Sequence, residues 1–234
     1  MNAVLLAAGM GTRLRPLTAS LPKALVKVGD ESFFERQLRL LGAAGVFDIT
    51  VITGYCAEAF GPWSGRPGLR FLRNDRYREW NNLYSMHLAL DRLGDTIVLD
   101  GDVWIGEGVL PAGSPATSRW LVGYKAGMRN EWVVRCGKED RVERVDVASG
   151  SDWILTGISY WSAADGALLR RRVETLMEGD DAPGLFWDEA PRSLLAEMDV
   201  RAQRIGQDDW AEIDTLEDLE VLKGRLGRFS RCAS

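Results

Sequence analysis

Histidine is almost missing from this chain: His87 is the only one in 234 residues. A single imidazole excludes multi-histidine metal centres and argues against a Ser-His-Asp machine. Flanked by Met86 and Leu88 in a predicted helix, His87 reads as structural or surface. Cysteine is scarce too. Cys56, Cys136 and Cys232 are odd in number and widely spaced, which gives no disulfide framework and no zinc spacing and fits a reducing cytoplasm. Long apolar runs are also lacking. The first one, Ala3 to Ala8, ends after six residues in a glycine loop, so it is expected to be a strand and neither a signal peptide nor a membrane anchor. Nor is there a basic excess: 29 Lys and Arg stand against 34 Asp and Glu, a net charge of -5. Such a balance provides no long-range pull toward nucleic acid or an anionic bilayer, and the nine tryptophans are scattered among acids. Any anion this chain binds must be held by a local cluster of cations.

The first 28 residues contain such a cluster. Ala3-Val4-Leu5-Leu6-Ala7-Ala8 is a continuous apolar run suited to a strand buried on both faces. Gly9 and Gly11 then free the backbone to turn tightly and aim several N–H groups at one anion, with Arg13 and Arg15 directly behind. Lys23 follows Pro22, and the first acid comes only at Asp30. This reads as a phosphate cradle with its counter-charges attached. A Gly-x-Gly alone is weak evidence, and a surface loop that is basic by chance remains the alternative.

Residues 33–41 have apolar positions at helical spacing, and 46–53 read as a strand. Strand, helix, strand is the opening of an α/β domain whose ligands sit beyond the carboxyl ends of the strands. A turn-rich loop at 61–68, a strand at 69–72, a helix at 82–92 and a strand at 95–99 continue the pattern. The last of these delivers Asp100 and Asp102 to the sheet edge where such folds place their chemistry. From 116 the pattern changes to four predicted strands, 120–124, 132–136, 142–147 and 154–161, forming an antiparallel extension. Helices are expected at 163–178 and 186–197, a strand near 199–204, and a closing helix at 216–225. The chain shows no repeat or long linker, so 1–234 is read as one domain. Asp214, ahead of Thr215 and Glu217, has two readings, a site acid or a helix N-cap.

Leu6-Ala7-Ala8-Gly9-Met10-Gly11-Thr12-Arg13-Leu14, then Pro16-Leu17-Thr18 and Leu21-Pro22-Lys23-Ala24-Leu25, resemble the signature of the sugar-phosphate nucleotidyltransferase superfamily. Asn81-Asn82-Leu83-Tyr84-Ser85, Leu99-Asp100-Gly101-Asp102, Asn130-Glu131-Trp132, Phe186-Trp187-Asp188 and Glu212-Ile213-Asp214 extend the likeness nearly end to end. They are similar to the small choline-phosphate and phosphonate cytidylyltransferases. The resemblance implies a Rossmann-like fold with a mostly parallel sheet, in which 1–115 mainly bind nucleotide, 116–211 mainly bind acceptor, and 212–234 bring the second metal acid and a closing helix. It implies CTP as substrate, with Leu6 to Ala8 against the base, Gly9 to Thr12 around the phosphates, and Arg13 and Lys23 on the triphosphate. Asn74, Asn81 and Asn82 belong to the region that reads the base and touches the acceptor, although consecutive asparagines could equally cap the helix at 83. Asp102 and Asp214 match the paired acids that hold Mg²⁺, and Asp100 would orient its neighbour.

At the acceptor end Trp132, Trp187 and Asp188 match positions that grip a choline head, but the acidic stretch expected before Trp187 is replaced by Pro183-Gly184-Leu185-Phe186. Arg129 and Arg135 flank the tryptophan. Facing inward, with Lys23 and Asn82 nearby, they would favour a small acidic phosphonate such as phosphonoformate; facing solvent, they would leave phosphocholine or 2-aminoethylphosphonate as acceptor. A sugar-1-phosphate enzyme and an inactive nucleotide-binding regulator are the remaining alternatives. A homodimer is the default expectation for association.

Overall fold

The structure, a computed structural model, describes residues 1–232, with the side chains of 228–232 excepted, so the thiol of Cys232 lies outside what is described. In chain order the strands and helices are β1 (Asn2–Ala7), β2 (Lys27–Val28), β3 (Glu31–Ser32), α1 (Phe33–Ala43), β4 (Ile49–Thr53), β5 (Leu69–Arg73), α2 (Asn82–His87), β6 (Thr96–Asp100) and β7 (Val103–Ile105). There follow β8 (Ser118–Cys136), β9 (Val142–Trp161), α3 (Ala163–Met177), α4 (Glu189–Ser193), β10 (Val200–Ile205), β11 (Trp210–Glu212) and α5 (Leu216–Cys232).

One seven-stranded sheet runs in the order β10-β8-β9-β6-β1-β4-β5. The pairs β1–β4, β1–β6, β4–β5 and β10–β8 are parallel, while β9 is antiparallel to both β6 and β8. This is the expected α/β class, a mostly parallel sheet with an antiparallel extension. Its centre is β1, and the reason is legible in residue parity. Ala3, Leu5 and Ala7 enter the core on one face, Val4 and Leu6 the core on the other, so every position after Asn2 is apolar.

Helix α1 starts at a reciprocal cap. The Ser32 hydroxyl accepts from the Glu35 N–H at 3.2 Å, and the Glu35 carboxylate accepts from the Ser32 N–H at 2.8 Å. The helix buries Phe33, Phe34, Leu40 and Leu41, and with them Gln37. Buried Gln37 donates to the carbonyls of Asp100 and Val103 at 2.9 and 3.0 Å, which fixes the turn that carries Asp102. Two such bonds contribute on the order of 1 kcal/mol each.

The four predicted strands between 120 and 161 are two long ones. The polar residues between 125 and 131 read as a loop, yet they are a bulged part of β8, whose register against β9 slips repeatedly there. The helix expected at 82–92 ends at His87 and resumes as a single tight turn, Leu90–Arg92. That expected at 186–197 is reduced to Glu189–Ser193, so Trp187 and Asp188 precede it.

Candidate active site

A cleft of about 690 Å³ opens beyond the carboxyl ends of β1 and β6. Its floor is Leu6, Ala7 and Ala8, and one end is built by the glycine loop. Gly11 has φ 55°, in the left-handed region, and an added Cβ would lie 3.0 Å from the Lys23 Cβ. Only glycine satisfies both conditions without strain. The Thr18 hydroxyl donates to the Gly11 carbonyl at 2.6 Å, and the Tyr55 hydroxyl donates to the Ala19 carbonyl at 2.5 Å, so the loop is tied at both ends. Gly9, Met10 and Arg13 line the cleft, whereas Gly11 and Thr12 shape the loop from behind.

Lys23 is the centre of the charge arrangement. Its ammonium lies 2.6 Å from the Asp102 carboxylate and 2.8 Å from that of Asp214, two acids separated by more than a hundred residues of chain. Arg13 reaches the same Asp214 oxygen at 2.8 Å. Burial opposes the charge on Lys23, but the two carboxylates together carry its pKa above the usual lysine value. Burial likewise opposes the charge on Asp214, and Lys23 and Arg13 outweigh it, holding the pKa below the ordinary range. The cap of α5 is Thr215 with Asp218: the Thr215 hydroxyl accepts from the Asp218 N–H at 3.2 Å, and the Asp218 carboxylate accepts from the Asp214 and Thr215 N–H groups at 3.0 and 2.7 Å. The Asp214 carboxylate is thereby left to the cleft.

Other acids crowd the same wall. Burial pushes Asp100 well above the usual carboxylate range, and Asp102, Asp188 and Glu212 add to the rise. Glu212 is raised to about 7 by burial and by Asp102 and Asp214. At the far end Asp188 is pushed up to about 7, again by burial, which outweighs hydrogen bonds from the Trp120 indole at 3.2 Å and from its own backbone. Trp132 and Phe186 line the cleft beside it, packed edge to face at 6.1 Å between centroids.

Residues 3–105 match the model of the MobA-like NTP transferase domain. Over 223 residues the chain is 31% identical to the choline-phosphate cytidylyltransferase of Streptococcus pneumoniae, covering 95% of this chain and 97% of the relative. It is 30% identical over 221 residues to the 2-aminoethylphosphonate cytidylyltransferase of Lancefieldella rimae, covering 93% and 90%. The solved structure of the Streptococcus pneumoniae CTP:phosphocholine cytidylyltransferase superposes with a TM-score of 0.91 at 32% identity, over 96% of this chain and 98% of that one. The chain belongs to this family of cytidylyltransferases. It is a CTP-dependent nucleotidyltransferase of α/β fold.

In this cytidylyltransferase Asn74, Asn81, Asn82, Arg129 and Asp188 also reach the cleft wall. The asparagines do not cap α2, since no side-chain cap bond forms there. Asn81 donates to the Gly184 carbonyl at 3.1 Å and Asn82 accepts from the Trp187 N–H at 2.8 Å, which clips the loop carrying Phe186 and Asp188 to the cleft. Buried Asn74 donates to the Ser85 hydroxyl at 2.9 Å.

Two expected acceptor residues lie elsewhere. Arg135 is three positions beyond Trp132 on an extended strand, so it points to the opposite face. There it pairs with Asp152 at 2.5 Å and Asp146 at 3.4 Å. Trp187 is 2% exposed and packs perpendicular to Trp161 at 5.5 Å, a core residue whose cleft place is taken by Phe186. Sequence reasoning also passed over Glu131 and Glu212 as members of the site. For Glu212 a signal existed: two residues before Asp214 in an extended segment, it shares that residue's face. Among the described residues no helix is long and apolar enough to cross a membrane.

Proposed function

We propose that this cytidylyltransferase joins the CMP of CTP to a small phosphate or phosphonate that carries a cationic amine, with Mg²⁺ held by Asp102 and Asp214, and releases pyrophosphate. The observation that carries the acceptor class is the far end of the cleft. Asp188 stands there beside Trp132 and Phe186, kept near neutrality by burial, with no cation paired to it among the described residues. A carboxylate and aromatic faces together recognise an ammonium group, whose binding returns the acid to its charged form. The phosphonocarboxylate expectation rested on two inward guanidiniums, and only Arg129 reaches the cleft. The relatives named for phosphocholine and 2-aminoethylphosphonate point the same way.

The metal reading rests on convergence. Asp102 and Asp214 both lie within 2.8 Å of one cationic point, the Lys23 ammonium. Among the described residues no cage of three or more ligating side chains exists, and a pair of carboxylates is the set that takes Mg²⁺ together with substrate phosphates. When bound, the ion neutralises charge on the phosphates and lowers the electrostatic barrier to displacement. The chain's own groups do the rest. An acceptor oxygen on phosphate or phosphonate is already anionic at neutral pH, so it attacks the α-phosphorus without a general base while the bond to pyrophosphate breaks. Lys23 and Arg13 neutralise the triphosphate, and the glycine loop donates N–H groups to it.

The test is pyrophosphate release across four nucleoside triphosphates with phosphocholine, 2-aminoethylphosphonate and phosphonoformate. CTP with an amine-bearing acceptor is expected to dominate; preferential use of phosphonoformate would refute the acceptor reading.

A further inference from the structure

Strand β8 is interrupted where it meets the cleft. Its register against β9 slips between Lys125 and Met128 and again between Met128 and Glu131. Gly127 at φ 66° and Asn130 at φ 53° adopt the left-handed conformations that the inserted residues require. This bulge turns Arg129, Asn130, Glu131 and Trp132 onto the cleft wall. Its backbone is tied to β9 by two exposed bonds, the Gly127 N–H donating to the Ser151 hydroxyl and the Asn130 N–H to the Ser149 hydroxyl, each at 3.1 Å. Such bonds hold a strained asparagine only loosely in water.

Met128 anchors the bulge in the core and pairs with Gly150, and Lys125 adds an ionic restraint. Its ammonium contacts the Glu131 carboxylate at 2.5 Å, closing the base of the bulge, and reaches Glu212 of β11 at 3.5 Å. Glu131 and Glu212 both line the cleft, whereas Lys125 is not among its lining residues. Glu212 leads within two residues into Asp214, so one cation links the acceptor wall to the segment bearing a phosphate-end acid.

We propose that Lys125 is a positioning residue, which sets the acceptor-facing bulge of β8 against the segment running into Asp214. This rests on the reading that the acceptor lies against Trp132. Removal of the lysine ammonium breaks both contacts at once, and the bulge loses its ionic tie to β11. The side chain is 37% exposed, so the fold does not depend on its ion pairs. Acceptor binding does, because the bulge carries Glu131 and Trp132 on the cleft wall, and displacing them weakens the contacts made there.

The experiment compares wild type with Lys125→Met, which keeps much of the side-chain length and loses the charge, and with Lys125→Arg. Steady-state kinetics use 2-aminoethylphosphonate and phosphocholine at saturating CTP, and CTP is titrated separately. The expected result is an acceptor KM raised about tenfold or more in Lys125→Met with the CTP KM within about twofold, and substantial recovery in Lys125→Arg. An unchanged acceptor KM, or equal rises in both KM values, overturns the proposal. Hydrogen exchange of the ligand-free proteins gives a second reading without any acceptor. Amides of 126–132 are expected to exchange about tenfold faster in Lys125→Met while β1 and β6 stay protected; unchanged exchange at 126–132 also overturns it. Failure of the wild type to use either acceptor would count against the proposed function, and hydrogen exchange would still decide the role of Lys125.

Discussion

Asp188→Asn sets stability against function at one position. Burial raises the Asp188 carboxyl from 3.8 to about 7. A group whose folded pKa lies above its unfolded value binds more protons when folded, so stability falls as pH rises through that interval and is level above it. The interval spans roughly three pH units at 1.36 kcal/mol each, so the ionised carboxylate costs the ligand-free fold about 4 kcal/mol at pH 8. Asparagine removes the charge and keeps an oxygen that accepts from the Trp120 indole, now at 3.2 Å. The variant is therefore expected to be more stable than wild type by about 2–4 kcal/mol at pH 8, and by only about 1–2 kcal/mol at pH 5.

Urea unfolding at pH 5, 6, 7 and 8 measures this directly, with the midpoint shift between the two proteins as readout. Glu212 also has a raised pKa and is common to both proteins, whereas Asp188 contributes to the rise at Asp100, so loss of its charge relieves Asp100 as well and widens the gap. The same variant should lose amine-bearing acceptors, with KM raised on the order of a hundredfold and the CTP KM nearly unchanged. In wild type the acceptor KM should rise as pH falls below about 7, because the carboxylate that meets the ammonium is then protonated. A stability gap that is absent, or that does not change with pH, would refute the idea that Asp188 sits uncompensated in the ligand-free cleft.

Asp214→Asn is expected to fold and to lose turnover by orders of magnitude, with weakened Mn²⁺ binding in the presence of CTP as an independent readout. Lys23→Met should depress turnover far more than CTP affinity; it should also bind Mn²⁺ more tightly than wild type without nucleotide, measured by electron paramagnetic resonance. Arg135→Ala should leave acceptor kcat/KM within about twofold of wild type, since its partners Asp146 and Asp152 lie away from the cleft.

What the sequence disclosed follows from how local each cause is. The central strand β1 was legible because burial on both faces leaves an unbroken apolar run. The glycine loop was legible because a left-handed turn ahead of cations has few other uses. Asp102 was placed by the rule that α/β sheets carry chemistry at strand ends. The antiparallel wall was harder, because facing in a strand depends on counting by two, and every inserted residue reverses the count. The insertions between Lys125 and Glu131 therefore bring Arg129 to the cleft although it lies an odd number of residues from Trp132. Arg135, also three away but on the other side, pairs with Asp152 and Asp146 away from the cleft. Phe186 takes the cleft position expected of Trp187 for a related reason: the loop ahead of α4 is set by the Asn82 clip, a contact across about a hundred residues of chain.

The ligand-free charge arrangement makes Lys23 a residue with two incompatible tasks. Its ammonium sits 2.6 and 2.8 Å from two carboxylates, and from that position it cannot also form a close pair with the α-phosphate of a bound nucleotide. In the proposed reaction Asp102 and Asp214 would hold Mg²⁺, and Lys23 would pair with phosphate. Asp102 and Asp214 would have to give up Lys23 to hold a metal, and Lys23 would have to leave them to meet a phosphate, so the two binding events would be coupled through this one ammonium. Arg13, 68% exposed and bonded to the same Asp214 oxygen, is the less constrained partner and is free to leave first. The loop that presents it is closed on itself by the bond from Thr18 to Gly11, which leaves the Arg13 side chain as the part with freedom to turn.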